Sequence, residues 1–359
     1  MNKLIWIGPL VDNKMLNRYI AISPAANLWQ KNFINALISN NYKILIITYL
    51  PMQSWPKGKL WSKMSKNDID DLGNNVFTVS FLNIPLIRDL WIPLAITLKS
   101  LKYKNYNVIT YNPVFRHTFF AKISNFLNKN SWISIIADDK FKGKPTYSIF
   151  LSRGYFDSFV INNKFHFDGA IEYKISNSVY ESSPKVLLYA GSITKWTGIE
   201  DFTIMFNNIS NQINLELHIY GKGNSSIIQE ISNRNSKIKF MGFQDENNLD
   251  QACSNAFAFI NPRPLLVKNG DNNFPSKLLL YASYTKPILS TKTLGLSDEI
   301  CNILNIYNPE KPQDLLMLIN DISIKENYME AIEKIKNYNQ INTWENKIKV
   351  LFDNINNIK

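Results

Sequence analysis

The sequence predicts an α/β protein of two domains, each a parallel sheet covered by helices. Three observations carry this. Short apolar runs of strand length alternate with longer amphipathic stretches along the whole chain, the order that parallel sheets and their crossover helices require. The alternation breaks at Ser182-Ser183-Pro184, a polar, proline-containing linker, and restarts behind it. The 359 residues also exceed what one core fills, because single cores rarely grow beyond about 250 to 300 residues. The expected domains are 1–183 and 184–359.

In the first half the strand-like runs are 4–8, 43–49, 76–81, 107–111, 132–137 and 158–161, with helices expected at 28–39, 90–101, 116–127 and 148–154. In the second half strands are expected at 186–190, 215–220, 238–240, 256–260, 287–290 and 303–306. Helices fall between them at 198–208, 225–233, 247–253, 276–284 and 312–321. The remainder, 327–358, reads as two helices able to pack back on the first domain.

Charge divides unevenly. Residues 1–185 hold 23 lysines and arginines against 11 aspartates and glutamates, whereas residues 186–359 hold 17 against 18. A basic half steers toward polyanions: nucleic acid, an anionic membrane or an acidic substrate. Nucleic acid is disfavoured, because the lysines are scattered and no helix-turn-helix, zinc-finger or RNA-stacking signature accompanies them. No run reaches the roughly 18 apolar residues of a membrane span, and Met1-Asn2-Lys3 leads straight into a strand rather than a signal-peptide core. The expected address is the cytoplasm or the inner membrane face. Cys253 and Cys301 stand apart from each other and from histidines, so neither a disulfide nor a zinc site is indicated.

The segment with the most chemistry is Asn273-Phe274-Pro275-Ser276-Lys277, running into an apolar helix. A proline and a hydroxyl cap at a helix start, with free N–H groups and the Lys277 ammonium, make an anion site. An ordinary capped helix with a solvated lysine is the plainer reading. The segment Asn273 through Thr291 resembles the donor-binding motif of retaining, GT-B-fold family 4 glycosyltransferases of the Phe-Pro-Ser-Lys subgroup. The resemblance extends to Asn261-Pro262-Arg263-Pro264 and to Tyr189-Ala190-Gly191-Ser192-Ile193-Thr194-Lys195-Trp196-Thr197-Gly198-Ile199.

That resemblance implies a GT-B fold, two Rossmann-like domains facing a central cleft, and transfer of a sugar from a nucleotide sugar, UDP-linked by expectation. The acceptor would be a glycan or lipid-linked glycan in surface polysaccharide assembly. Gly191 and Ser192 would form the turn against the donor diphosphate, and Lys195, Arg263, Ser276 and Lys277 would hold and neutralise it. Gly221 and Gly223 would lie beneath the nucleotide and Phe243 beside the base, although a tight strand-to-helix turn uses the same glycines. Where the family has Glu-x7-Glu this chain has Asn272 and Leu280, so the ribose falls to Asp271 or Asn273. A chain that had lost its donor contacts would instead be a non-catalytic binding partner. No metal and no cofactor beyond the nucleotide sugar are implied; Asp68-Ile69-Asp70 reads as solvated loop.

For the acceptor, Asp138-Asp139 closes the apolar run 132–137 at the sheet edge where α/β proteins put ligands. By resemblance Asp139 faces the acceptor hydroxyl, with Asp138 and the small-residue loop Ala25, Ala26 and Asn27 near it, while a helix cap with a solvated neighbour is an equal reading of the two aspartates. His117 is a cleft candidate because it follows the strand 107–111, and a surface or packed side chain is its plainer reading. Finally, residues 86–104 interleave apolar side chains with Arg88, Lys99, Lys102 and Lys104. They read as a sheet-covering helix or as a helix lying on an anionic membrane.

Overall fold

A computed structural model of the chain describes residues 2–18, 23–73, 75–137, 143–174, 180, 184–265 and 272–358. The first strand, Lys3–Ile7 (β1), is buried on both faces, as a strand in a doubly covered parallel sheet must be. The elements that follow are Pro24–Ser39 (α1), Lys43–Tyr49 (β2), Trp61–Ser62 (β3), Val76–Val79 (β4), Phe81–Leu82 (β5) and Ile87–Ser100 (α2). Then come Asn107–Tyr111 (β6), Phe115–Asn128 (α3), Trp132–Ile136 (β7), Tyr147–Phe150 (β8), Arg153–Ser158 (α4) and Lys164–His166 (β9). The sheet has seven strands in the order β4-β2-β1-β6-β7-β8-β9, parallel at every pairing. The order reverses between β1 and β6, which makes their carboxyl ends the ligand crevice of a Rossmann-like sheet.

The second sheet is built the same way. Its elements are Lys185–Ala190 (β10), Ile199–Ile209 (α5), Leu215–Tyr220 (β11), Ser226–Arg234 (α6), Ile238–Gly242 (β12), Glu246–Ser254 (α7) and Ala258–Asn261 (β13). They continue with Lys277–Ser283 (α8), Ile288–Ser290 (β14), Asp298–Cys301 (α9), Asn305–Ile306 (β15), Pro312–Ile322 (α10), Lys325–Ile341 (α11) and Trp344–Asn357 (α12). Six parallel strands run β12-β11-β10-β13-β14-β15, with the reversal between β10 and β13.

The compact units are Met1–Leu151 with Phe156–Phe167 and Trp344–Lys359, and Ser152–Tyr155 with Asp168–Thr343. Division thus falls at Asp168, ahead of the linker expected at 184. The helix α12 belongs to the first unit, where Ile348, Phe352 and Ile355 are buried among Phe33, Leu37 and Ile46 and Trp344 meets Trp29 edge-on at 5.8 Å. Helix α11 stays in the second.

Other expectations are corrected. Residues 148–154 do not form a helix: Tyr147 to Phe150 is the strand β8, with every side chain buried. The run 158–161 is no strand, because Ser158 closes α4 and Val160 is 99% exposed. A segment rich in aromatics satisfies either period, and burial on two sheet faces decides it. The run 76–81 splits, since β5 leaves the sheet to pair antiparallel with β3. The Ser23 to Asn27 segment is the first turn of α1 and not a loop before it: Pro24 takes N1 and the Ser23 hydroxyl accepts from the Ala26 N–H at 3.4 Å. Asp68 is buried and accepts from the Ser65 N–H at 2.6 Å and hydroxyl at 2.7 Å, so Asp68-Ile69-Asp70 is a folded corner and not a solvated loop. The short helix α9, capped by Ser297 on the Ile300 N–H, has no counterpart in the periodicity.

Candidate functional site

The second unit brings its cations to the switch point of its sheet. Strand β10 delivers Gly191 at φ +155, and the next turn locks against it: the Gly191 N–H donates to the Tyr220 carbonyl at 2.9 Å and the Ile193 N–H to that of Lys222 at 2.7 Å. The glycines are fixed by contact. A Cβ on Gly221 would lie 1.8 Å from the Gly191 carbonyl oxygen, and one on Gly223 2.0 Å from that of Ile193. Gly221 and Gly223 therefore let two backbone turns touch. Over Gly191 itself lies Lys277, whose Cε and Nζ would meet an added Cβ at 2.3 Å.

Lys277 opens α8, a helix of seven residues, and is aimed by its neighbours. Its ammonium donates to the Tyr189 hydroxyl at 2.5 Å, and that hydroxyl donates onward to the Ser192 carbonyl at 2.6 Å. Tyr281, four residues on, accepts from the Ala190 N–H at 2.9 Å and stacks on Phe259 at 4.5 Å, pinning α8 to the ends of β10 and β13. Beyond β13, the Thr291 hydroxyl donates to the Arg263 carbonyl at 2.6 Å and the Asn261 amide to the Ser290 hydroxyl at 2.9 Å, holding the Arg263 loop. Burial, and then the charge of Arg263, push the Lys277 ammonium down to about 7. Burial also lowers Arg263 and pushes the Tyr189 phenol up to about 12. Two cations held at a switch point against their own desolvation form a receptor for a dianion.

The remaining expected donor residues divide. Ser276 has helical φ and ψ, is exposed and makes no side-chain cap hydrogen bond, so the expected hydroxyl cap is corrected: Ser276 places Lys277 by its backbone. Pro275 is buried and its carbonyl takes the Leu278 N–H at 2.9 Å, while Phe274 packs into the core beside α8. Asn273 is half-buried, its carbonyl against Gly295. Lys195 and Ser192 are exposed around the 3-10 turn Lys195–Thr197. Phe243 is exposed beneath the Lys222 ammonium, 3.7 Å from the ring centroid. Leu280 packs into the apolar cluster with Phe259 and Tyr281. Asp271 lies outside the described residues. Tyr189, Tyr281 and Thr291 do work that residue types alone did not assign; a tyrosine in an apolar run, whose hydroxyl must find a partner once buried, is the signal for the first two.

The first unit has a cavity of about 660 Å³ at the carboxyl ends of β1, β2, β6 and β7. Ala26, Asn27 and His117 line it with Tyr49, Asp89 and Arg116; Ala25 is exposed. Asn27 is engaged by the chain itself, since its amide oxygen accepts from the Val11 N–H at 3.0 Å and its nitrogen donates back to the Val11 carbonyl at 3.0 Å. His117 bonds through Nδ1 to the Tyr111 and Asn112 carbonyls at 2.8 and 2.9 Å, which makes Nδ1 the protonated nitrogen and Nε2 the acceptor from the Tyr49 hydroxyl at 2.8 Å. Burial pushes its pKa down to about 4, so it is a neutral wall of the cavity. Arg116 and Asp89 pair at 2.7 Å. Asp138 and Asp139 follow Ala137, a lining residue, and lie outside the described residues.

Residues 172–340 match the family described as Glycosyl transferases group 1. No curated protein matches the sequence. Among solved structures the chain is similar to the apo lipopolysaccharide outer core galactosyltransferase WaaB, at 15% identity and TM-score 0.68 over 98% of this chain and 99% of that one. It is similar also to Anabaena Alr3699/HepE in complex with UDP-glucose, at 11% identity and TM-score 0.66 over 99% of each chain. A glycosyltransferase from Rickettsia africae gives 11% identity and TM-score 0.65 over 99% of this chain and 97% of that one. The chain thus has the GT-B fold, two Rossmann-like domains, and its residues 172–340 are similar to glycosyl transferases group 1.

Proposed function

We propose that the chain transfers a sugar, with retention, from a nucleotide sugar held by the second unit to a glycan or lipid-linked glycan held by the first. The carrying observation is that Lys277 lies over the Gly191 turn, near enough to Arg263 to feel its charge, inside the residues that match group 1 glycosyl transferases. UDP is the expected carrier, a reading supported by the likeness to a protein solved with UDP-glucose. Surface glycoconjugate assembly is supported by the likeness to a lipopolysaccharide galactosyltransferase.

In this reading the bond between the anomeric carbon and the β-phosphate oxygen breaks, and the acceptor oxygen bonds that carbon. The two cations meet the charge gathering on the departing diphosphate. The acceptor proton passes to the departing phosphate or to Asp139. The role of Asp138 and Asp139 toward the acceptor rests on the resemblance and on their place in the sequence directly after Ala137, which lines the 660 Å³ cavity. Leu280 favours a second reading, a non-catalytic glycosyltransferase-like binding partner, because it presents no acceptor to the ribose and is spent on packing.

A panel of nucleotide sugars incubated with the protein decides between them. The proposal expects one sugar to be consumed, with hydrolysis or transfer giving the donor's own anomer when read promptly by NMR. An inverted product removes the retaining mechanism, and no consumption of any donor moves the chain to the second reading.

A further inference from the structure

The helix α2 covers the first sheet with one face and wastes another on solvent. Its Ile92 and Ile96 are buried with Val79, Phe81 and Phe120. At about 100° per residue, Ile87, Leu90, Trp91, Leu94, Leu98 and Leu101 fall within about 100° of arc on the other side. All six are exposed, Leu90 at 68% and Leu98 at 59%. The neighbouring α3 repeats the pattern: Phe115, Phe119 and Phe126 share one stripe and are exposed, Phe126 at 84%. The two helices pack on each other, so both stripes belong to the same helical layer of the first unit. A soluble monomer seldom shows so much contiguous apolar surface without something that covers it.

The charge around the stripes says what covers it. Residues 86–129 contain seven lysines and arginines and one acidic residue, Asp89, which Arg116 already neutralises. Lys122 sits on the α3 stripe itself and is exposed, as are Lys102, Lys104 and Lys129 at the helix ends. Lys99 and Lys102 hold their ammonium groups 5.4 and 5.3 Å from the Phe77 ring, beside the sheet that α2 covers. Leucine and phenylalanine flanked by lysine, with Trp91 anchored by its indole N–H on the Ser80 carbonyl at 3.0 Å, fit a surface that is apolar inside and anionic outside. We infer that the α2–α3 face of the first unit docks on the surface of an anionic lipid bilayer, with Leu90, Leu98 and Phe126 entering the acyl boundary and the lysines meeting the headgroups. Among the described residues no helix is long and apolar enough to cross a membrane, so the docking is peripheral.

Sedimentation of the full chain with vesicles of phosphatidylcholine, or of phosphatidylcholine with phosphatidylglycerol, tests this. Binding to the anionic vesicles should be at least about tenfold tighter. It should weaken as salt shortens the screening length from about 10 to about 3 Å. The double variant Leu90→Ser/Leu98→Ser should lose anionic binding by at least about tenfold with an unchanged circular dichroism spectrum. Lys102→Gln/Lys122→Gln should lower the preference for anionic lipid. Equal binding to both vesicles, or to neither, overturns the inference. So does a dimer on size exclusion that Leu90→Ser/Leu98→Ser dissolves, which would give the face to a second copy of the chain. UDP titrated into the same samples keeps the outcome separate from that of the sugar-transfer proposal.

Discussion

Lys277→Ala is expected to lower kcat for sugar transfer by about 10² to 10³, the loss that follows removal of one preorganised group facing developing charge. Binding of UDP should weaken less than turnover falls, because the charge on the diphosphate grows as the glycosidic bond breaks. Stability should hold or rise: the Tyr189 hydroxyl keeps its bond to Ser192, and an ammonium held at about 7 by burial and Arg263 is relieved. The same position sets a pH dependence. The free protein loses the Lys277 charge as pH rises through about 7, so kcat/KM for the donor should fall through that value. Lys277→Arg should flatten this limb, since a guanidinium stays protonated. For stability the sign is opposite to that of an ordinary lysine pair. Unfolded lysine titrates near 10.4, so between about 7 and 10.4 the unfolded chain binds the extra proton and stability rises with pH. Steady-state kinetics and thermal melts across that window check each part, and unaltered turnover in Lys277→Ala would remove Lys277 from the chemistry.

Gly221→Ala is the second large effect. Its φ lies outside the left-handed region, so the cost is contact alone: the new methyl would stand 1.8 Å from the Gly191 carbonyl oxygen, which is backbone and cannot swing aside. Forcing the turns apart should cost about 2 to 3 kcal/mol. For a unit of this size that is a fall in Tm of roughly 5 to 10 °C. The movement carries Gly191 away from Lys277, so donor affinity should fall with stability. Gly242→Ala is the control, because Gly242 has nothing within 4 Å of an added Cβ and only its φ of +66 to strain. Its cost should be about 1 kcal/mol with donor affinity intact. Equal melting temperatures for the two variants would show that the interlocked turns are not what the glycines serve.

Much of this architecture is legible before any coordinates. Strands such as 43–49 and 107–111 are mostly apolar runs bounded by polar turns, and 215–220 alternates apolar residues with Glu216 and His218; the structure returns all three with the same limits. The failures sit at 147–161, where Tyr147, Phe150, Phe156 and Phe159 spread aromatic side chains at both periods, so that only burial against neighbouring strands separates β8 from α4. At the site, the motif Pro275-Ser276-Lys277 and the glycines mark the place, but not their duties. Gly191, Gly221 and Gly223 have the look of a phosphate cradle; Gly191 is glycine because its φ of +155 strains any side chain, and Gly221 and Gly223 because backbone carbonyls occupy the space a Cβ would need. Ser276 has the look of a cap and is none. Tyr189 and Tyr281, which aim the lysine and fasten its helix, lie in apolar runs where a hydroxyl's partner is set by tertiary structure alone.

The central claim, that the second unit receives a nucleoside diphosphate between Gly191, Lys277 and Arg263, has a direct test in calorimetric titration of UDP into the wild-type protein. The account predicts saturable one-site binding near neutral pH. It also predicts proton uptake above pH 7, where Lys277 must regain its charge to meet the diphosphate. Binding should be weakened in Lys277→Ala and not in Gly242→Ala. A wild type silent toward UDP and toward the diphosphates of the other bases would contradict the account and leave a GT-B-fold protein whose donor site is closed.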